Sequence, residues 1–289
     1  VVPVFDRPSD LQRWSEAQRR DGHTIALVPT MGALHRGHLS LIEAARERAD
    51  RVVVSIFVNP LQFGEQADFE HYPRPIDVDI TECDRVGVDV VYAPTSATMY
   101  PPGFATTVHV DGITDPMEGR ARPGHFDGVA TVVAKLFAAC RPHVAVFGEK
   151  DYQQLAVVRT MTADLDLGVD VVGCRTVREP DGLAMSSRNR RLDVAERAAA
   201  GCLPAAIAAA IATASAVQST PVDVVAAAVG VIDDQPLANL DYVSVFDATT
   251  LAPLESFDSA HRRPGQVRIA VAARIGDVRL IDNADLFAD

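Results

Sequence analysis

Two imidazoles three residues apart, His35 and His38, sit where the run Thr24-Ile-Ala-Leu-Val-Pro-Thr-Met-Gly-Ala-Leu-His-Arg-Gly-His38 changes from strand-like to helical character. Positions i and i+3 share one face of a helix, so both rings meet the same ligand. The unpaired N–H groups and the positive dipole end of that first turn favour an anion, and phosphate suits the site. A zinc pair is the weaker reading, since metal helices use i,i+4 histidines with a third ligand and none is nearby. Two other short segments carry cations beside small polar groups: Gly148-Glu-Lys-Asp-Tyr-Gln-Gln154, with Lys150, and Met185-Ser-Ser-Arg188.

The surrounding elements determine whether these residues can meet. Thr24 to Thr30 reads as a strand buried on both faces, broken at Met31-Gly32. A helix follows from Gly37 with Leu39, Leu41, Ile42 and Ala45 on one side. Val52 to Val58 is the strongest strand in the chain, and the three elements form a right-handed βαβ unit. Further strands are expected at Val88 to Tyr92, His143 to Phe147 and Val169 to Cys174, with an extra one at Thr106 to Val110 inside an irregular excursion. Helices are expected at Pro8 to Arg20, Ile76 to Val86, Asp127 to Cys140 with Asp127 as cap, and Tyr152 to Leu165.

Past Thr176 the pattern changes. Asp193 caps an alanine-dominated helix toward Ala214, and a second helix spans Val222 to Ile232. Strands at Asp241 to Phe246, Gln266 to Ala273 and Val278 to Asp282 follow, the last two joined by a Gly276-Asp277 hairpin turn. The fold class is therefore α/β: a doubly wound, mostly parallel Rossmann-like sheet over residues 1–176, with a smaller C-terminal α+β domain over 177–289. Open sheets of this kind bind ligands at the carboxyl ends of their strands. The polar segments after four strands, beginning at Pro29, Asn59, Gly148 and Arg175, are thus expected at one crevice.

Composition narrows the function classes. The chain has 289 residues, 48% of them hydrophobic, enough for a substantial core. Its net charge of −12 argues against a nucleic-acid partner, which calls for a basic face, but leaves room for a nucleotide held by a few cations. Four widely spaced cysteines without a C-x-x-C pair read as buried thiols of a reducing compartment. No run of about 18 uninterrupted apolar residues and no cleavable signal pattern stands out, so the expectation is cytoplasmic, with no membrane partner.

The H-x-G-H of His35 to His38 after a first strand resembles the signature of the nucleotidylyltransferase superfamily. Taken with three more blocks, the chain strongly resembles the pantothenate synthetase (pantoate–β-alanine ligase) family. Those blocks are Ser55-Ile-Phe-Val-Asn-Pro-Leu-Gln-Phe-Gly64, Gly148-Glu-Lys-Asp-Tyr-Gln-Gln154 and Gly182-Leu-Ala-Met-Ser-Ser-Arg-Asn189, with Tyr72-Pro-Arg74 and Gly124-His-Phe-Asp-Gly-Val129 also fitting. The resemblance implies ATP-dependent condensation of pantoate with β-alanine through a pantoyl-adenylate, releasing pyrophosphate and AMP. It implies His38, His35, Lys150 and Arg188 as catalytic donors. Pro29, Thr30, Met31, Gly32, Gly148, Asp151, Val177, Met185, Ser186 and Ser187 would join them around ATP. Gln62, Gln154, Asn59 and Met31 would hold pantoate and β-alanine, and Mg²⁺ would accompany ATP with Asp77 and Asp79 as its ligands. A homodimer and a C-terminal domain acting as a lid are also implied. The chain departs from the pattern at Arg36, where many relatives carry an acid, and at Val78, which interrupts an acidic run. The competing readings are a nucleotidylyltransferase acting on another small acid or phosphate, and a nucleotide-binding module without turnover.

Overall fold

Alternation of β-branched strands with amphipathic helices fixes the first part of the molecule. The computed structural model describes residues 1–64 and 66–288. Packing divides the chain into two units: one of Val1–Thr114, Arg122–Glu149 and Gln154–Thr176, the other of Asp115–Ala121, Lys150–Gln153 and the chain from Val177 onward.

The elements in chain order begin with β1 (Val4–Phe5), α1 (Pro8–Arg20), β2 (Ile25–Thr30), α2 (Arg36–Arg46) and β3 (Arg51–Ile56). Next come α3 (Gln66–Glu70), α4 (Ile76–Arg85), β4 (Val90–Tyr92), α5 (Ser96–Met99), α6 (Glu118–Ala121) and α7 (His125–Cys140). The first unit closes with β5 (Val144–Gly148), the part of α8 (Tyr152–Asp164) from Gln154 on, and β6 (Asp170–Cys174). Its six strands run parallel in the order β1-β4-β3-β2-β5-β6. Strand alternation sends Ile25, Leu27 and Val53 into one core with Leu11 and Phe137, and Ala26, Val28, Val52 and Val54 into another with Leu41 and Ile42. Helices on both faces of a parallel sheet are the physical consequence of strands apolar on both sides.

Strand order reverses between β2 and β5, and there the sheet opens. β2 pairs with β3 along its whole length, from Ile25↔Arg51 to Thr30↔Ile56. With β5 it pairs only at Ala26↔Val144 and Leu27↔Ala145. Pro29 has no N–H to offer a neighbour, and β2 and β5 part beyond Leu27. A crevice at the carboxyl ends of the two strands follows from this topology.

In the second unit, α9 (Val194–Ala199), α10 (Cys202–Ala214) and α11 (Pro221–Asp233) precede an antiparallel sheet β7-β8-β9 (Ala238–Asp247, Val267–Ile275, Val278–Asp285). Leu203, Ala206, Ile207, Val224 and Ile232 pack on Ile269, Val271 and Ile275 of β8. The stretch Val194–Ala214 is long and apolar enough to cross a membrane by length and composition. Its Ala199, Leu203, Ala206, Ile207, Ala210 and Ala214 are instead buried in this core, and the helix is interrupted between Ala199 and Cys202.

Three expectations change. Thr106–Val110 forms no strand, because the Val108 N–H is taken by the Thr131 hydroxyl at 2.9 Å and not by a ladder. Asp127 does not cap α7: Gly124, in the left-handed region at φ 79°, is the N-cap, and Asp127 lies in the first turn paired to His109 at 2.7 Å. β9 also runs beyond Asp282 to Asp285, since Asp282 and Asn283 keep their places opposite Val271 and Ala270 of β8.

Candidate active site

The loop after β2 is held in a backbone shape that its own residues do not favour. Gly32 has φ 82° and Ala33 φ 51°, a left-handed conformation that a side chain disfavours by about 1–2 kcal/mol. Two groups hold it there. The Thr30 hydroxyl donates to the Ser55 carbonyl at 2.8 Å and accepts from the Gly32 N–H at 3.1 Å. The buried Asp79 carboxylate, from α4, accepts the N–H of Ala33 through one oxygen and of Leu34 through the other, both at 2.8 Å. A Cβ at Gly32 would stand 2.9 Å from that carboxylate, so this glycine is sterically required as well.

The loop delivers His35 to the N-cap of α2 and His38 to its first turn. The His35 Nδ1 accepts the Gly37 N–H at 3.1 Å, and the His38 Nδ1 accepts the His35 N–H at 3.4 Å. In this geometry the Nδ1 of each ring faces a backbone N–H, which leaves Nε2 as the nitrogen placed to donate. The rings lie 4.1 Å apart. Two adjacent donors at a helix N-terminus are suited to phosphate oxygens.

The segment after β3 forms the next wall. Gln62 is buried and its amide is oriented: the oxygen accepts from Asn59 Nδ2 at 3.0 Å, which turns Nε2 outward, 3.3 Å from the Met31 sulfur. Its carbonyl accepts from Arg122 at 3.0 Å and lies 2.8 Å from His125 Nδ1. Asn59 is committed internally: Nδ2 also reaches the Gly128 carbonyl at 3.0 Å, and its oxygen accepts from Tyr100 at 2.7 Å and Leu61 at 3.3 Å. Burial pushes the Tyr100 phenol well above its ordinary value, so it remains the donor. α7 approaches closely enough that a Cβ at Gly128 would lie 2.7 Å from the Gln62 nitrogen. Asn59 therefore sets the Gln62 amide from the rear.

In the second unit, Lys150 has a side chain only 18% exposed, its ammonium 3.6 Å from the Asp151 carboxylate. Of the two following glutamines, Gln153 is structural: its oxygen accepts the Glu118 N–H at 3.1 Å and its nitrogen donates to the Pro116 carbonyl at 2.9 Å. Gln154, on the first turn of α8 and already part of the first unit, is half-buried. Val177 accepts the Met185 N–H at 3.0 Å, closing a loop that turns at Gly182, φ 90°. Ser186 then caps a 3₁₀ turn over Ser187–Arg191, its hydroxyl accepting the Arg188 N–H at 3.2 Å. Ser187 is buried and Arg188 half-buried.

The structure thus places His35, His38, Met31, Asn59 and Gln62 in linked loops of the first unit, and Lys150, Asp151, Val177 and Met185 to Arg188 in loops of the second. Asp77 and Asp79 lie in different surroundings. Asp77 is exposed while Asp79 is buried with both oxygens on backbone N–H groups. No group of three or more His, Cys, Asp or Glu able to hold a metal occurs among the described residues. Sequence reasoning missed Asp79 as the loop anchor, and Arg122 and His125 as supports of Gln62. The signal for His125 was present in Gly124-His-Phe-Asp-Gly128, polar and glycine positions at the start of an otherwise apolar helix.

A model of the Pantoate-beta-alanine ligase family matches residues 3–285. The pantothenate synthetase of Rhizorhabdus wittichii is 48% identical over 277 residues, 95% of each chain. The crystal structure of the Thermus thermophilus pantothenate synthetase has a TM-score of 0.91 at 43% identity, covering 99% of this chain and 100% of that one. That of the Francisella tularensis pantoate-beta-alanine ligase, complexed with β-γ ATP and β-alanine, has a TM-score of 0.81 at 31% identity, covering 100% and 99%. Matched by the family model over residues 3–285 and similar over nearly its whole length to these proteins, the chain belongs to the pantoate–β-alanine ligase family.

Proposed function

We propose that the protein condenses pantoate with β-alanine, driven by ATP, through a pantoyl-adenylate. The observation that carries this reading is the contact of Gln62 Nε2 with the Met31 sulfur, which ties the acid-orienting amide to the loop bearing the two histidine donors. In the first half-reaction a pantoate carboxylate oxygen attacks the α-phosphorus of ATP. The bond to pyrophosphate breaks, and its electron pair leaves with pyrophosphate. A carboxylate with a pKa of about 4 is already ionised at neutral pH and needs no base. Such transfer depends on alignment and on donors that meet developing negative charge.

His38 and His35 give their Nε2–H protons as hydrogen bonds to phosphate oxygens, with Lys150 and Arg188 as the cationic donors. Their Nδ1 atoms face backbone N–H groups, which leaves Nε2 of each ring to donate. Pro29 to Gly32, Gly148, Asp151, Val177 and Met185 to Ser187 hold the remainder of ATP, with Asp151 on the ribose hydroxyls. Gln62 and Gln154 orient pantoate, Asn59 acting through Gln62. In the second half-reaction the β-alanine amine attacks the acyl carbon; the C–N bond forms, the C–O bond breaks with its electron pair going to AMP, and the amine proton passes to phosphate or solvent. Magnesium enters with ATP as part of that substrate. The protein works as a cytoplasmic homodimer in this reading, and its four free cysteines suit a reducing compartment.

Product analysis tests the reading. AMP formation requiring ATP, pantoate and β-alanine together is expected, and Lys150→Ala should slow single-turnover pyrophosphate release by about 10²–10³. Unchanged adenylation in that variant removes Lys150 from the chemistry. ATP binding with no AMP released points to a non-catalytic module, and AMP transfer to an acid other than pantoate points to a nucleotidylyltransferase.

A further inference from the structure

Strand β9 carries two adjacent buried polar residues, Asp282 and Asn283. Leu280 and Ala284 of this strand belong to the apolar core, and Asp282 lies between them on the same face. A carboxylate there is tolerable only if paired. Its partner is Arg178, whose two terminal nitrogens reach the two carboxylate oxygens at 2.6 and 3.0 Å. Arg178 also donates to the Asn283 carbonyl at 3.2 Å and the Gly182 carbonyl at 2.9 Å. It stands beside Val177, at the base of the loop leading to Ser186, Ser187 and Arg188.

Asn283 projects to the opposite face and grips the other segment. Its Nδ2 donates to the Lys150 carbonyl at 2.8 Å. Its oxygen accepts twice from the buried Arg268, at 2.6 and 3.2 Å. The Arg268 guanidinium in turn lies 4.0 Å over the Tyr152 ring, whose hydroxyl donates to the Ala248 carbonyl at 2.8 Å. One dipeptide on a hydrogen-bonded strand therefore holds the backbone at Lys150 and the root of the Arg188 loop.

We propose that Asp282-Asn283 is a positioning element that fixes Lys150 relative to the Ser186–Arg188 segment for adenylate formation. The inference rests on the ATP-dependent reading of Lys150 given above. A strand held by a sheet ladder is a stiffer support than either loop, and small misplacements of a donor cost rate disproportionately.

Asn283→Asp is the discriminating variant: it keeps an acceptor for Arg268 but loses the donor to the Lys150 carbonyl. Arg178→Lys is the second, keeping the charge while losing the two-point pairing. Single-turnover pyrophosphate release, aminolysis of preformed adenylate by β-alanine, and melting temperature are measured for both. The expected result is adenylate formation slowed about ten- to a hundredfold per folded molecule, with the KM for β-alanine unchanged. Full adenylation per folded molecule in Asn283→Asp, whatever its melting temperature, overturns the proposal and leaves the pair a merely structural one. The parent and Lys150→Ala run alongside. A parent that releases no pyrophosphate with pantoate sinks the activity reading itself, whereas an active parent, an impaired Lys150→Ala and a full-speed Asn283→Asp sink only the positioning.

Discussion

Replacing Asp79 by Asn separates two roles that the sequence leaves superimposed, a metal ligand and a loop anchor. The carboxylate accepts two backbone N–H bonds at 2.8 Å while buried to 2% exposure. Hydrogen bonds to a charged acceptor are worth about 1.5–3 kcal/mol each. An asparagine keeps one neutral acceptor and turns an NH₂ against the other N–H, so a loss of about 2–4 kcal/mol is expected. The loop cannot compensate by itself, because Ala33 at φ 51° is already in an unfavourable region. At roughly 2–4 °C per kcal/mol for a unit of this size, the melting temperature should fall by about 5–15 °C. The fall should appear with no nucleotide or metal added. Once the loop relaxes, His35 and His38 lose their places, and adenylation should slow at every Mg²⁺ concentration. Thermal unfolding of the unliganded protein and pyrophosphate release titrated with Mg²⁺ are the assays. Unchanged melting together with activity restored by high Mg²⁺ would refute the anchoring argument and return Asp79 to the metal.

Gly128→Ala forces a Cβ to 2.7 Å from the Gln62 nitrogen, a backbone neighbour that cannot rotate away. Overpacking of this kind costs about 1–3 kcal/mol, and since the added carbon meets the Leu61 carbonyl and the Gln62 nitrogen of one peptide unit, the shift displaces Gln62 and the KM for pantoate should rise more than that for ATP; equal effects on both would detach Gln62 from the acid. His109 is raised above its ordinary 6.5 by its hydrogen bond to Asp127, then by that to Asp111. A raised pKa in the folded state gives stabilisation fully present below 6.5 and lost as pH climbs through the folded value. An NMR titration of this ring should therefore report a midpoint above 6.5, and Asp127→Asn should bring it back down.

Periodicity is a local property, and what it encodes could be read directly. The two-faced strands Ile25–Thr30 and Arg51–Ile56, the helix beginning beside His35, and the antiparallel strands near the C-terminus all announce which side of each element must leave water. Chain order and the rule for open sheets then marked the segments after the strands as the candidates for chemistry, with His38, Gln62, Lys150 and Arg188 each in such a segment. Tertiary structure alone decided the partners. Asp79 meets Ala33 across 46 residues of sequence, and Asn283 meets Lys150 across 133. No local pattern reports a contact of that separation: Asp79 carried only the metal role that the family resemblance implied, and the last strand was expected to end at Asp282. Asp127 likewise read as a cap because a capping residue is defined by neighbours, whereas its own pairing to His109 is made by a segment that only the folded chain brings alongside.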